Sequence, residues 1–164
     1  MRVTNIAIDV DGSPLGYISW HNHLYNKSKI RVLKPAIKNE KFGVQRMEIL
    51  AVYFAILDNL KVFKKFKRRK KTIILRSDSK STIELLNNKT GIRDDIIRRV
   101  YNSIIRILKK IHCNLIFDHL DRTQNTAGKI LEHLRKETAY LKETSIIKVK
   151  SIDRIQQDEK NYKL

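Results

Sequence analysis

Residues 4–16 read TNIAIDVDGSPLG, and their reading decides the fold. Apolar and polar side chains alternate from Thr4 to Asp11 with the period of two expected for a β-strand. The DGSPLG that follows is a tight turn. A strand that ends in a carboxylate and turns at once presents that carboxylate at the rim of a sheet. Asp9 lies two residues upstream on the same strand face and is a competing or auxiliary acid, ranked behind Asp11.

The chain around this strand repeats the theme. Gly16–His21 and Ile30–Leu33 read as two further short strands, so the first third is an antiparallel meander. RMEILAVYFAILDNL, Arg46 to Leu60, then places Met47, Leu50, Ala51, Phe54, Leu57 and Leu60 at helical spacing, which predicts an amphipathic helix. Thr72–Leu75 is a short buried strand that ends in RSDSK. A second helix follows over SKSTIELLNN, with Ser79 or Ser81 as its N-cap. Asp94–Lys110 is a third helix, Asn114–Asp118 a fifth strand and Asn125–Lys142 the last long helix. The predicted order is β-β-β-α-β-α-α-β-α. A domain over residues 1–144 and a C-terminal extension over 145–164 follow, the latter holding a short strand (IIKVK, 146–150) and a polar tail.

Three acids occupy matched places in this order. Asp11 ends the first strand, Glu48 opens the first helix and Asp78 ends the fourth strand. Singly, each has an ordinary reading: a turn former before Gly12, a first-turn helix charge, a cap. Together they converge at one sheet edge if the first and fourth strands are neighbours with the helix packed over them. Carboxylates brought within about 5 Å raise one another's pKa, and a divalent cation relieves the repulsion. Oxygen ligands of this kind suit Mg²⁺ or Mn²⁺.

The segments IAIDVDGS, QRMEILAVYFAIL and IILRSDSKSTIELL resemble those that carry the first three acids of the ribonuclease H type 1 family. The resemblance covers roughly Asn5 to Leu134. It implies an α/β, ribonuclease H-like fold: a five-stranded mixed sheet, three antiparallel strands then two parallel, flanked by helices. It implies a divalent-metal ribonuclease H that hydrolyses the RNA strand of RNA/DNA hybrids. Asp11, Glu48 and Asp78 are then the metal ligands and catalytic acids, with His119 as a loop proton shuttle. Ser13, Gln45 and Asn125 are the matching nucleic-acid contacts.

The resemblance breaks at a fourth acid. Family members carry a loop His, an Asn six residues later and an Asp four residues beyond that. Here His119 is followed by Asn125 and then by Lys129. Sliding the match by one aligns Ala127 with the family's Ala and Gly128 with its acid. Neither register supplies a carboxylate, and Glu132, one turn on, reads as a surface charge. A lysine at the fourth position should contact Asp11 or Asp78 and take the place of one metal's charge. The alternative function is therefore a catalytically inactive module of the same fold that binds hybrid or structured nucleic acid.

Charge sets the partner. With 35 Lys and Arg against 17 Asp and Glu, the net charge is +18, and such imbalance points to a polyanion. Eight of the eleven residues from Lys61 to Lys71 are basic. Lys64, Lys65, Lys67, Arg68 and Arg69 are thus expected on nucleic-acid backbone, about 20 Å along the helix from Glu48. Phe63 and Phe66 within the run are expected in the core. Cys113 is the single cysteine and sits in an apolar-alternating run, as a buried core thiol does. No stretch of about 18 apolar residues occurs, and the charged N-terminus is unlike a signal peptide. The expectation is a soluble, cytoplasmic protein with no membrane segment.

Overall fold

The computed structural model describes residues 5–33, 41–68 and 71–143, without the side chains of 67, 68 and 139–143. The expected strand at 146–150 lies outside the described residues. Five strands form one sheet in the order β3-β2-β1-β4-β5. β1 (Asn5–Gly12) pairs antiparallel with β2 (Tyr17–Asn22), which pairs antiparallel with β3 (Lys27–Val32). β4 (Thr72–Ser77) runs parallel to β1 and to β5 (Asn114–His119). The adjacency on which the acid cluster depends is therefore present.

The alternation of β1 assigns its faces. Ile6, Ile8 and Val10 are fully buried, on the face toward α1 (Gly43–Asp58). Asp9 and Asp11 point to the other face, where α5 (Thr126–Glu143) packs on β1 and β2. β2 obeys the same rule: Trp20 donates from Nε1 to Asp58 of α1 at 2.8 Å, and Ser19 donates to the Ala127 carbonyl of α5 at 2.8 Å.

α1 departs from the amphipathic pattern. Ile49, Val52 and Ile56 are buried as completely as Met47, Leu50, Ala51 and Phe54. The sheet covers one side and α4 (Asp95–Ile111) the other, and a helix covered on two sides is apolar nearly all round. Arg46 at its start pairs with Asp94 at 2.6 Å, and Asp94 also caps α4 by accepting from the Ile97 N–H. α1 and α4 thus set out side by side from one end of the sheet.

The basic run forms a helix of its own, α2 (Leu60–Arg68). Asn59 separates it from α1. Its amide donates to the Ala55 carbonyl at 2.8 Å and accepts from Asn22 at 3.0 Å, which ties the break to the end of β2. Phe63 and Phe66 are buried, as the sequence suggests, while Lys61, Lys64 and Lys65 are exposed. Ser79 is the N-cap of α3 (Lys80–Leu86), one of the two positions expected, but its hydroxyl bonds Thr82 Oγ1 rather than a backbone N–H. Cys113 is half-buried against the core rather than enclosed by it, and burial pushes its thiol pKa up. Among the described residues, no helix is long and apolar enough to cross a membrane.

Candidate functional site

Three chain segments meet at the C-terminal ends of β1 and β4. Asp11 comes from the end of β1, Glu48 from the second turn of α1, and Asp78 from the residue after β4. One carboxylate oxygen from each lies within 4.8 Å of the other two.

Gly12 makes this approach. A Cβ there would sit 2.4 Å from the Met47 carbonyl carbon and 2.6 Å from the Glu48 nitrogen, so only a residue without a side chain lets β1 touch the α1 backbone. Its amide donates to both Asp11 and Glu48. The Asp-Gly pair marks a close strand–helix contact as much as a turn.

The electrostatics follow from crowding in a poorly solvated place. Burial, and then the charge of Asp78, push Asp11 up to about 6. Glu48 is more deeply buried, and burial followed by Asp11 and Asp78 raises it well above the ordinary carboxylate range. A hydrogen bond between the two groups favours the proton on Glu48. Arg122, in the 3₁₀ turn Arg122–Gln124 before α5, works in the opposite direction on Asp11. An anionic, all-oxygen set that resists full ionisation fits a hard divalent cation, whose charge would remove the penalty.

Neighbouring polar groups hold the acids in place. Asn125 is fully buried; its Nδ2 donates to Asp78 Oδ1 at 3.1 Å and to the Val10 carbonyl at 3.0 Å. Its Oδ1 accepts from the Gly128 N–H at 3.2 Å and so caps α5. An amide committed in this way is not free to touch nucleic acid, and the contact expected of Asn125 gives way to a positioning role. Ser77, also fully buried, makes a long hydrogen bond to Glu48 at 3.4 Å. His119 is exposed beside the cluster, with Nε2 3.2 Å from the Asp78 carbonyl oxygen. Gln45 is partly exposed on the first turn of α1. Ser13, in the turn after β1, uses its hydroxyl to accept from the Leu15 N–H at 3.2 Å.

The expectations for Lys129 and Asp9 change as well. Lys129 is exposed and forms no ion pair with Asp11, Glu48 or Asp78, so it does not stand in for a metal charge. The residue that faces the cluster is Gly128, where a Cβ would lie 3.4 Å from Asp11 Oδ2. Successive helix residues are rotated by about 100°, so both cannot face it. Asp9, the competing acid, is fully buried and already neutralised. Its Oδ1 receives Arg76 at 2.7 Å; its Oδ2 receives His23 at 2.8 Å and the Thr126 N–H at 3.1 Å. Glu132 is a surface charge paired with Lys136 at 3.0 Å, as expected. Lys64 and Lys65 are exposed on α2; the side chains of Lys67 and Arg68, and Arg69 entirely, lie outside the described residues.

Sequence reasoning missed Ser77, Arg122 and Arg76. Ser77 and Arg76 sit in the same RSDS stretch that yields Asp78. Alternation puts position 76 on the face of position 78, which was the available signal; the β1–β4 register then sets Arg76 beside Asp9. Nothing in the sequence marked Arg122.

A sheet of this order, with acids gathered where β1 and β4 end, defines the class: the chain has the ribonuclease H-like fold. Solved ribonuclease H1 structures share it. The enzyme of the halophilic archaeon Halobacterium salinarum NRC-1 superposes with a TM-score of 0.62 at 16% identity, over 77% of this chain and 93% of that one. LC11-RNase H1, isolated from compost by a metagenomic approach, gives 0.65 at 18% identity, over 79% and 93%. The same LC11 enzyme in complex with an RNA/DNA hybrid gives 0.54 at 14% identity, over 77% and 91%. No family model matches the chain, and no curated protein matches it in sequence.

Proposed function

We propose that this chain binds nucleic acid and hydrolyses the RNA strand of RNA/DNA hybrids, using Mg²⁺ or Mn²⁺ held by Asp11, Glu48 and Asp78. One observation carries the reading: three carboxylates from three separate elements lie within 4.8 Å of one another at the β1–β4 edge. Burial makes that arrangement unfavourable without a cation. Ions bound there supply an activated water and charge stabilisation for the leaving oxygen of a phosphodiester.

The remaining residues have definite tasks. Asn125 fixes the Asp78 carboxylate, and the Gly12 amide and Ser77 hydroxyl orient Glu48. His119 stands exposed at the rim, where it accepts and returns a proton. Gln45, on the helix that carries Glu48, and Ser13, in the turn after the strand that carries Asp11, contact the hybrid near the reacting phosphate. Lys64 and Lys65 hold backbone further away. That a fold neighbour was captured with an RNA/DNA hybrid supports the choice of substrate.

The second reading, an inactive module that holds hybrid, is favoured by one feature. The α5 position that faces Asp11 is Gly128, which offers no fourth ligand. Purified protein incubated with labelled hybrid in Mg²⁺ and in Mn²⁺ separates the two, with Asp78→Asn as control. Cleavage that the control abolishes establishes the enzyme. Tight binding without cleavage in either metal establishes the module.

A further inference from the structure

The solvent face of α4 carries a charge pattern unlike that of the other long exposed helix. Arg98, Arg99, Asn102, Arg106, Lys109 and Lys110 are its exposed residues beyond the first turn. Arg99, Arg106 and Lys110 recur at spacings of seven and four, so they form one row down the helix. Only Arg98 has an acid, Asp95 at 2.9 Å. Among the described residues, Arg99, Arg106, Lys109 and Lys110 make no ion pair. α5 shows what a merely solvated helix of this chain looks like. There acids and bases interleave in i,i+4 pairs, Lys136 with Glu132 at 3.0 Å and His133 with Glu137 at 3.1 Å. A row of like charges repels itself and destabilises its helix, whereas a polyanion laid along it removes the repulsion.

The row also has a direction. Asp94, the α4 cap, is bonded to Arg46, two residues before Glu48, so α4 begins at the same end of the sheet as the acidic cluster, across α1 from it. Its far end leads to Asn114, which bonds Thr72 at 2.7 Å, a few residues beyond the end of α2. Lys109 and Lys110 therefore approach the end of the chain segment that bears Lys61, Lys64 and Lys65. Over 17 residues the helix is about 25 Å long. Along a duplex, one strand places a phosphate about every 3.4 Å of axis, so the row spans several phosphates.

We infer that the exposed face of α4 is a second contact surface, holding the phosphodiester backbone of a nucleic acid that extends from the acidic cluster toward α2. This inference rests on the nucleic-acid reading above and adds where, outside the cleavage site, the polymer runs. Such contacts are independent of sequence and strongly salt-dependent.

The test uses the full chain in chelator, so that binding is read without cleavage. Anisotropy of a labelled RNA/DNA hybrid is followed against salt for the parent, for Arg106→Gln/Lys110→Gln on α4, and for the charge-matched Arg135→Gln/Lys136→Gln on α5. The α4 pair should weaken binding about tenfold and reduce the slope of log affinity against log salt by about 2. The α5 pair should change the slope by less than half as much. Equal effects from the two pairs, or none from the α4 pair while the parent binds, overturn this inference and leave the nucleic-acid reading standing. A parent that fails to bind hybrid overturns both. Should the α4 pair lose binding to phosphatidylserine vesicles but keep binding to hybrid, the face belongs to an anionic membrane surface instead and the inference falls.

Discussion

A Cβ on Gly128 would lie 3.4 Å from the Oδ2 of Asp11. That contact is ordinary van der Waals distance, so a side chain fits at position 128 and points at the cluster. Gly128→Asp should therefore add a fourth oxygen ligand, at the third residue of α5, where a carboxylate also suits the helix dipole. Calorimetric titration with Mn²⁺ should show affinity raised about tenfold, and hybrid cleavage should rise with it. Lys129→Asp, on an exposed position rotated away, should leave both as in the parent. Equal gains from the two variants would refute this assignment of faces.

Asn125 links three parts of the site with one amide: the β1 backbone, Asp78 and the α5 cap. Asn125→Ala leaves the buried Val10 carbonyl and the Gly128 N–H without their partner, a loss of about 3 kcal/mol in stability. Asp78, no longer held, should bind metal about tenfold more weakly. Urea unfolding and metal titration read the two effects separately. A variant as stable as the parent would show that the amide is replaceable by water.

Gly12 and Gly91 make a matched pair of glycine tests. Gly12→Ala would drive a methyl into the Met47 and Glu48 backbone, whereas nothing lies within 4 Å of a Cβ on Gly91. The first should destabilise by about 2 to 3 kcal/mol and weaken metal binding by parting Asp11 from Glu48. The second should be neutral or stabilise by about 0.5 kcal/mol. Thermal melts of both proteins test the contrast.

How far the sequence carried depended on whether a feature was local. Strand alternation in β1 and the apolar spacing of α4 show in any short window, so the sheet and its helices were legible. Asp11, Glu48 and Asp78 were legible because each stands at an element's end, and ends converge once β1 and β4 are neighbours. The choice between Asp9 and Asp11 was not local. Asp9 is removed from the site by Arg76, 67 positions away, and by His23 and Thr126. The rotation of α5 was equally hidden. It is set by the Asn125 amide gripping the Val10 carbonyl, and that contact brings Gly128 rather than Lys129 to the acids. Phe63 and Phe66 were legible as core, but the break that makes the basic run a helix of its own was not, because it rests on Asn59 bonding Asn22 and the Ala55 carbonyl.

The crowded acids make metal-free stability depend on pH in a definite sense. Asp11 titrates at about 6 in the folded chain against 3.8 ordinarily, and Glu48 is raised in the same direction. A raised carboxyl binds more protons folded than unfolded, so its contribution is whole below about pH 4 and is lost as pH rises through the folded value. In chelator, stability from urea unfolding should fall between about pH 4 and pH 7, by on the order of 2 kcal/mol from this cluster. Asp94 opposes the trend at the acid end. Its hydrogen bond to Arg46 depresses its pKa, so its contribution is present above the ordinary value and lost as pH falls through the depressed one. Glu48→Gln separates the two, since it removes a coupled charge and leaves Arg46–Asp94 intact. The variant should lose the part of the decline that belongs to Glu48, keep the part that burial and Asp78 impose on Asp11, and be more stable than the parent at pH 7 without metal. Saturating Mn²⁺ should flatten the decline in the parent, with proton release on binding, and have little effect on the variant. Identical pH profiles for parent and variant in chelator would mean that burial and its acidic neighbours do not raise the Glu48 carboxyl as this geometry requires.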